Sequence, residues 1–108
     1  MSEISFEEFQ KLDLKVGKVI SAEPIEGSSK LLKLKVDFGL ENRQILSGIA
    51  EFYKPEELIN KNFVFITNLE SRKMMGLQSQ GMILCADVAG RAVCLSPVDN
   101  VPAGTPIH

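Results

Sequence analysis

Residues Ser71 to Gln80 read S-R-K-M-M-G-L-Q-S-Q, and their side chains could do one kind of chemistry well. Adjacent cations at Arg72 and Lys73 can hold phosphate oxygens, and the amides and hydroxyl of Gln78, Ser79 and Gln80 can add hydrogen bonds. Gly76 supplies a permissive backbone between them. The expectation is a flexible polar loop able to hold phosphate. It is followed by Gly81 to Ala86, a continuous apolar run that suits a buried strand and would anchor the loop at one end. Loops of this composition also occur as plain solvated surface, so the stretch by itself leaves both roles open. Gly76 and Gly81 have the spacing of a nucleotide-binding P-loop, but Met82 and Ile83 stand where Lys and Ser or Thr are needed. Nothing there would reach a β/γ-phosphate or a magnesium ion, which excludes the NTPase reading.

A chain of 108 residues that is 44% hydrophobic can build one core, so residues 1–108 are expected to form a single domain. Its net charge of −2 does not advertise a nucleic-acid binder, so that function must rest on where the charges lie. They lie unevenly. The first ten residues carry Glu3, Glu7 and Glu8 with no cation, whereas Lys11 to Lys35 hold six lysines against Asp13, Glu23 and Glu26. No apolar run approaches the roughly 20 residues of a membrane helix, and the acidic start lacks a signal peptide's basic region, so a cytoplasmic protein with no membrane partner is expected. Cys85 and Cys94 both sit in apolar runs and read as buried thiols in a reducing compartment. With the only histidine at position 108, no metal site is expected. No catalytic set or cofactor motif stands out, so neither an enzyme nor a cofactor is expected.

The elements that must position the Ser71 stretch follow from periodicity. Ser5 opens S-F-E-E, a capping box in which its hydroxyl takes the Glu8 amide and the Glu8 carboxylate reaches back, with Ile4 and Phe9 as a hydrophobic staple. A short helix is expected from Phe6 to about Leu12, and its Phe6, Phe9 and Leu12 need something to pack on. Leu14, Val16 and Val19 outline a long first strand, with a bulge where Gly17 and Lys18 interrupt the alternation. Glu23 to Lys30 is a loop. Leu32, Leu34, Val36 and Phe38 alternate with Lys33, Lys35 and Asp37, which gives a half-buried strand with a lysine-rich outer face. Arg43 to Gly48, with Ile45 in the core, completes a hairpin. Pro55, Glu56 and Glu57 start a short helix ending near Asn60. Asn62 to Asn68 reads as a strand buried on both faces. Val88 to Arg91 turns the chain into a last strand over Ala92 to Leu95, and Pro97, Pro102 and Pro106 keep the tail extended.

Three strands, a short helix and two further strands is the order of an OB-fold, an all-β, five-stranded Greek-key barrel, here with an added N-terminal helix and extended C-terminal segment. Ligands of that fold lie on strands two and three and on the loops joining strands one to two and four to five. Those places hold Lys30, the hairpin with Lys33, Lys35 and Arg43, and the loop with Arg72, Lys73 and Ser79. The cations thus converge where the fold binds ligands, although isolated lysines such as Lys33 and Lys35 also serve simply to solvate a strand.

The ordered set D-L-K-V-G-K-V at Asp13 to Val19, K-L-L-K-L-K-V-D at Lys30 to Asp37, R-Q-I-L-S-G-I-A at Arg43 to Ala50, Y-K-P-E-E-L-I-N-K at Tyr53 to Lys61, N-L at Asn68 and S-R-K-M-M-G-L-Q-S-Q-G-M-I-L at Ser71 to Leu84 resembles one family. It is the tRNA-binding domain found at the C-terminus of many methionyl-tRNA synthetases and as free dimeric tRNA-binding proteins. The resemblance implies an OB-fold homodimer that binds tRNA without catalysis. Such a module raises the tRNA affinity of methionyl-tRNA synthetase as a separate subunit or detached domain, with the synthetase's catalytic chain as partner. By position, Lys30, Lys73, Ser79 and Met82 fall on the family's RNA-binding motif, with Arg72, Gln78 and Gln80 beside them. Met82 fits a core position equally well. Ser28 and Ser29 depart from the acidic or amide residues common in relatives, and Cys85 stands where alanine is usual.

Composition agrees with a folded RNA partner. Barrels that hold single strands stack bases on exposed aromatics, and this chain has no Trp, one Tyr and six Phe, most of them at core positions. Folded RNA read through phosphate and ribose needs Lys, Arg, Ser and Gln instead. The alternative is a dimeric OB-fold chaperone or protein-interaction module, which an exposed apolar groove would favour. Finally, if Ala89 and Gly90 form a two-residue turn, Cys85 faces Cys94 at a non-hydrogen-bonded pair, close enough for a disulfide yet expected to stay reduced.

Overall fold

The computed structural model describes residues 2–108. Its centre is β1 (Leu14–Pro24), which is long enough to serve two partners. Leu14 to Lys18 pair with β4 (Asn62–Ile66), and Lys18 to Pro24 pair with β2 (Leu32–Asp37). A strand shared in this way must bend. The register slips between Val19 and Ser21, so the bulge lies at Ile20 and not at Gly17 as the alternation suggested. Gly17 has another reason to be glycine. A Cβ there would lie 2.5 Å from Val36, 2.7 Å from Phe38 and 2.9 Å from Phe65, inside the tightest packing of the barrel.

β2 pairs with β3 (Asn42–Ser47), and β4 pairs with the short β7 (Met82–Ile83), giving the sheet order β3-β2-β1-β4-β7. The result is an all-β, nearly closed five-stranded antiparallel barrel of OB type, as the element order implied. Leu32, Leu34, Val36 and Phe38 all point into it, as their alternation required, and meet Ile45, Leu58, Phe63, Phe65 and Ile83. Phe38 and Phe65 meet edge to face with ring centroids 5.4 Å apart. The expected short helix after Pro55 is a single 3-10 turn, Pro55–Glu57, that plugs the barrel with the fully buried Leu58.

Several elements differ from expectation. The N-terminal helix α1 covers Phe6–Gln10 only. Ser5 caps the Glu8 amide at 3.1 Å, but the Glu8 carboxylate pairs with Lys11 at 3.1 Å instead of completing the box. Ile4 is 70% exposed, so the staple expected between Ile4 and Phe9 leaves Ile4 in solvent. The run after Gly81 is split, because at Leu84 the chain changes partners. The Leu84 amide still donates to Val64 C=O at 2.9 Å, whereas its own carbonyl accepts from Leu95 at 3.0 Å. Beyond it β8 (Cys85–Val88) and β9 (Arg91–Cys94) form a separate hairpin, in the register expected from a two-residue turn, with Cys85 opposite Cys94. The two thiols are half-buried and free, not sealed in the core. The proline-rich tail is more than extended. Gly104 N–H donates to Val16 C=O at 2.7 Å, Val16 N–H donates to Thr105 C=O at 2.9 Å, and β10 (Pro106–Ile107) pairs with Leu14 and Lys15.

Candidate nucleic-acid interface

The Ser71 stretch is built as a paired β-hairpin rather than an irregular loop. β5 (Arg72–Met74) pairs with β6 (Leu77–Ser79) across a turn at Met75 and Gly76, whose φ values are 52° and 76°. Two consecutive left-handed residues make the mirror-image turn whose twist matches that of the strands it joins. Nothing in the sequence signals it, since methionine at the first turn position is not one of the residues that favour positive φ.

The hairpin is fastened to the edge of β3 through side chains. Ser79, only 3% exposed, accepts the Leu46 amide at 3.0 Å and donates to Gly81 C=O at 3.1 Å. Gln44 donates from its side chain to Gln78 C=O at 2.9 Å. Its backbone accepts the Gln80 amide at 2.8 Å, and its amide donates to Gln80 Oε1 at 3.2 Å. Arg43 reaches across the same seam to Gln80 C=O and Thr67 C=O while Glu41 holds its other nitrogens at 2.9 and 3.3 Å. The Arg43 guanidinium, by hydrogen bond and charge, holds the Glu41 carboxyl below its ordinary range. A Cβ on Gly81 would lie 3.0 Å from Ile66 C=O and 3.2 Å from Ile45, so the approach of β7 to β3 needs glycine there. The barrel thus closes between β3 and β7 largely through side chains.

Of the sequence candidates, then, Arg43, Ser79 and Gln80 are occupied in this seam. Arg72, Lys73 and Gln78 face solvent on the hairpin, as Met75 and Gly76 do at its tip, and among the described residues neither cation has a carboxylate partner. The β1–β2 loop meets the hairpin tip, where a Cβ on Gly27 would lie 3.2 Å from Met75 Cε. Within that loop Ser28 Oγ accepts the amides of Lys30 and Leu31 at 3.3 and 3.2 Å, and Lys30 C=O accepts from Ala50 at 2.9 Å. The Lys30 backbone is held while its side chain is exposed. On the β2 face the two lysines differ. Lys33 pairs with its cross-strand neighbour Glu23 at 3.2 Å, whereas Lys35 stands exposed opposite Ser21 and Gln44.

Met82, 46% exposed, is no core residue; it lines a groove of about 370 Å³ with Leu46, Ile49, Arg72, Met74 and Cys85. Sequence reading missed Gln44 as a site residue. Its position opposite Lys35 on the hairpin was legible, but its bonds to residues 34 and 36 positions away were not. Among the described residues no cluster of His, Cys, Asp and Glu could hold a metal ion, and no helix is long and apolar enough to cross a membrane.

An OB-type barrel whose edge hairpin presents two cations with no carboxylate partner among the described residues has a build suited to nucleic acid. The chain belongs to the tRNA-binding-domain family: residues 14–106 match the family described as "Putative tRNA binding domain". Methionine–tRNA ligases of Methanothrix thermoacetophila and Archaeoglobus fulgidus are 54% and 53% identical over 97% and 95% of this chain. The chain spans 16% of the length of each of those ligases. It corresponds to an auxiliary, non-catalytic domain of enzymes whose catalytic domain lies elsewhere. Among solved structures, a MetRS-related protein from Pyrococcus horikoshii is 41% identical, with a TM-score of 0.95 and full coverage of both chains. The chaperone CsaA from Bacillus anthracis is 34% identical, with a TM-score of 0.91 over 99% of this chain and 100% of that one.

Proposed function

We propose that this chain, acting as one domain in the cytoplasm, binds folded tRNA through phosphate and ribose contacts and raises the tRNA affinity of methionyl-tRNA synthetase. It would do so as a separate subunit or as a domain of a longer chain. The observation that carries this reading is the pair Arg72 and Lys73, exposed without acidic partners on a hairpin whose backbone is locked to the barrel. Cations held in place bind phosphate without losing the freedom a flexible loop would lose. Lys30, Lys35, Gln78 and Met82 complete the contact surface, and Lys33 joins it by exchanging Glu23 for phosphate. Arg43, Ser79 and Gln80 act by holding the hairpin in place. Filter binding of tRNA and of unstructured RNA over a range of salt tests the reading. The expected result is steep salt dependence and preference for folded tRNA, with little discrimination among isoacceptors, because phosphate contacts carry no base information. Binding that ignores salt, or favours the unstructured RNA, refutes it. Addition of the chain to a synthetase catalytic chain should lower the tRNA concentration needed for half-maximal rate.

Two copies would pair through α1 and the tail. Phe6 is 68% exposed, and with Phe9, Leu12 and Ile107, beside the polar Gln10 and His108, it lines an open hollow whose apolar part a second copy would cover isologously. Truncation before Pro97 would be a poor test, because the tail also pairs with β1. Sedimentation of Phe6→Asp is cleaner. The wild type should sediment as a dimer and the variant as a monomer of 11.9 kDa. A second reading, a protein-binding module, is favoured by the apolar wall of the groove at Leu46, Ile49, Met74 and Met82 and by the CsaA likeness. Retention of unfolded apolar peptides that tRNA fails to displace would select it.

A further inference from the structure

The β8–β9 hairpin carries a dithiol that RNA binding does not use. Cys85 and Cys94 are directly opposed, with sulfurs 3.5 Å apart. Two hydrogen bonds show that they occupy a non-hydrogen-bonded pair. The Cys94 amide donates to the Tyr53 hydroxyl at 3.1 Å instead of to Cys85, and the next ladder bond outward runs from Leu95 N–H to Leu84 C=O at 3.0 Å. Such pairs hold Cα atoms about 4.5 Å apart, within the span of a disulfide. The two thiols are not equivalent. Cys85 lines the groove beside Arg72 and Met82, where a small solute can reach it, whereas Cys94 is not part of that wall and sits by Tyr53.

We propose that Cys85 and Cys94 form a redox site on the groove wall whose substrate class is a low-molecular-weight disulfide such as oxidised glutathione. The Cys85 thiolate attacks one sulfur of the small disulfide. That disulfide bond breaks, one small thiol leaves carrying the proton Cys85 gave up, and a mixed disulfide remains on Cys85. The Cys94 thiolate then attacks Cys85 Sγ, and the second small thiol leaves with the Cys94 proton. Two protein thiols are oxidised to one disulfide, and one small disulfide is reduced to two thiols. Because Cys94 already lies in contact, the second step is intramolecular, and that proximity offsets the low thiolate fraction of Cys94. Desolvation raises both thiols, Cys94 to about 12. The uptake step is therefore slow near neutrality and accelerates about tenfold per pH unit as thiolate forms.

The test is exposure of the reduced, folded protein to oxidised glutathione at mildly alkaline pH, followed by intact-mass measurement and peptide mapping. Wild type should finish as the Cys85–Cys94 disulfide with no lasting adduct. Cys94→Ala and the near-isosteric Cys94→Ser should each accumulate one glutathione on Cys85. Cys85→Ala should be modified at Cys94 at least about tenfold more slowly. A lasting adduct on folded wild type overturns the proposal, as does folded wild type that stays reduced while the same chain in denaturant is oxidised. The wild-type arm decides the matter even where a variant fails to fold.

Discussion

The hairpins β5–β6 and β8–β9 share a turn geometry but present different charge to solvent: the adjacent cations Arg72 and Lys73 on the first, and Arg91 beside Asp87 on the second. Each closes on two residues at positive φ, Met75–Gly76 and Ala89–Gly90, and each accepts a non-glycine residue there at a cost of about 1 kcal/mol. In β8–β9 the Asp87 carboxylate is spent on its own turn, accepting the Gly90 amide at 2.9 Å, and the Tyr53 hydroxyl ties the hairpin to the core beside the backbone bonds of Leu84 and Leu95 to Val64. In β5–β6 the tie is made by Ser79 and by the backbone carbonyl of Gln78, both bound to β3. The neighbouring cations are left free.

The largest effect that would break this division is expected from Ser79→Val. It strips the buried Leu46 amide of its acceptor, costs about 1–3 kcal/mol in urea unfolding, and weakens tRNA binding although every cation remains. Unchanged tRNA affinity would mean that the hairpin does not need its anchor. Tyr53→Phe makes the matching change in the other hairpin. A loss of about 1 kcal/mol with no change in tRNA affinity is expected.

Lys73→Ala should leave stability within about 0.5 kcal/mol while flattening the salt slope of tRNA binding by about one unit. A variant at Arg91, the exposed cation of β8–β9, should leave that slope where it is. The smallest effect is expected at Glu41, which Arg43 holds below its ordinary pKa. A carboxyl depressed in the folded state stabilises above its unfolded value and loses that contribution as pH falls through its folded one. The stability difference between wild type and Glu41→Gln should therefore shrink as pH drops below 4.5, the value of the free side chain, as read from urea midpoints. A difference that grows on acidification would break the assignment.

Much of the barrel was legible because its signals are local. The alternation at Leu32 to Phe38 fixes which side of β2 is core, the Ser5 hydroxyl caps α1, and a two-residue turn after Val88 sets Cys85 against Cys94. What failed was long-range. Gly17 looked like a broken alternation, but it is glycine because the side chains of Val36, Phe38 and Phe65, distant in sequence, converge on it. Arg43, Ser79 and Gln80 have the chemistry of RNA contacts, but the hydrogen bonds they make across the closing seam had no signal in the sequence. A polar side chain's type says what it can bond. Which partner it meets depends on how β3 and β7 come together, and no stretch of sequence contains that.

The pairing of β10 with the start of β1 has a mechanical consequence. Leu14 lies opposite Ile107 and Lys15 opposite Pro106, so the outward-leading ends of the first and last strands emerge side by side. Tension applied through the flanking chain would load these bonds one after another, in the manner of a zipper, and not all at once as in shear. From the C-terminal side the load would reach the Ile107 end before the bonds of Gly104 and Thr105 to Val16, and from the N-terminal side it would meet the bonds of Asp13 to Thr67 and Asn68.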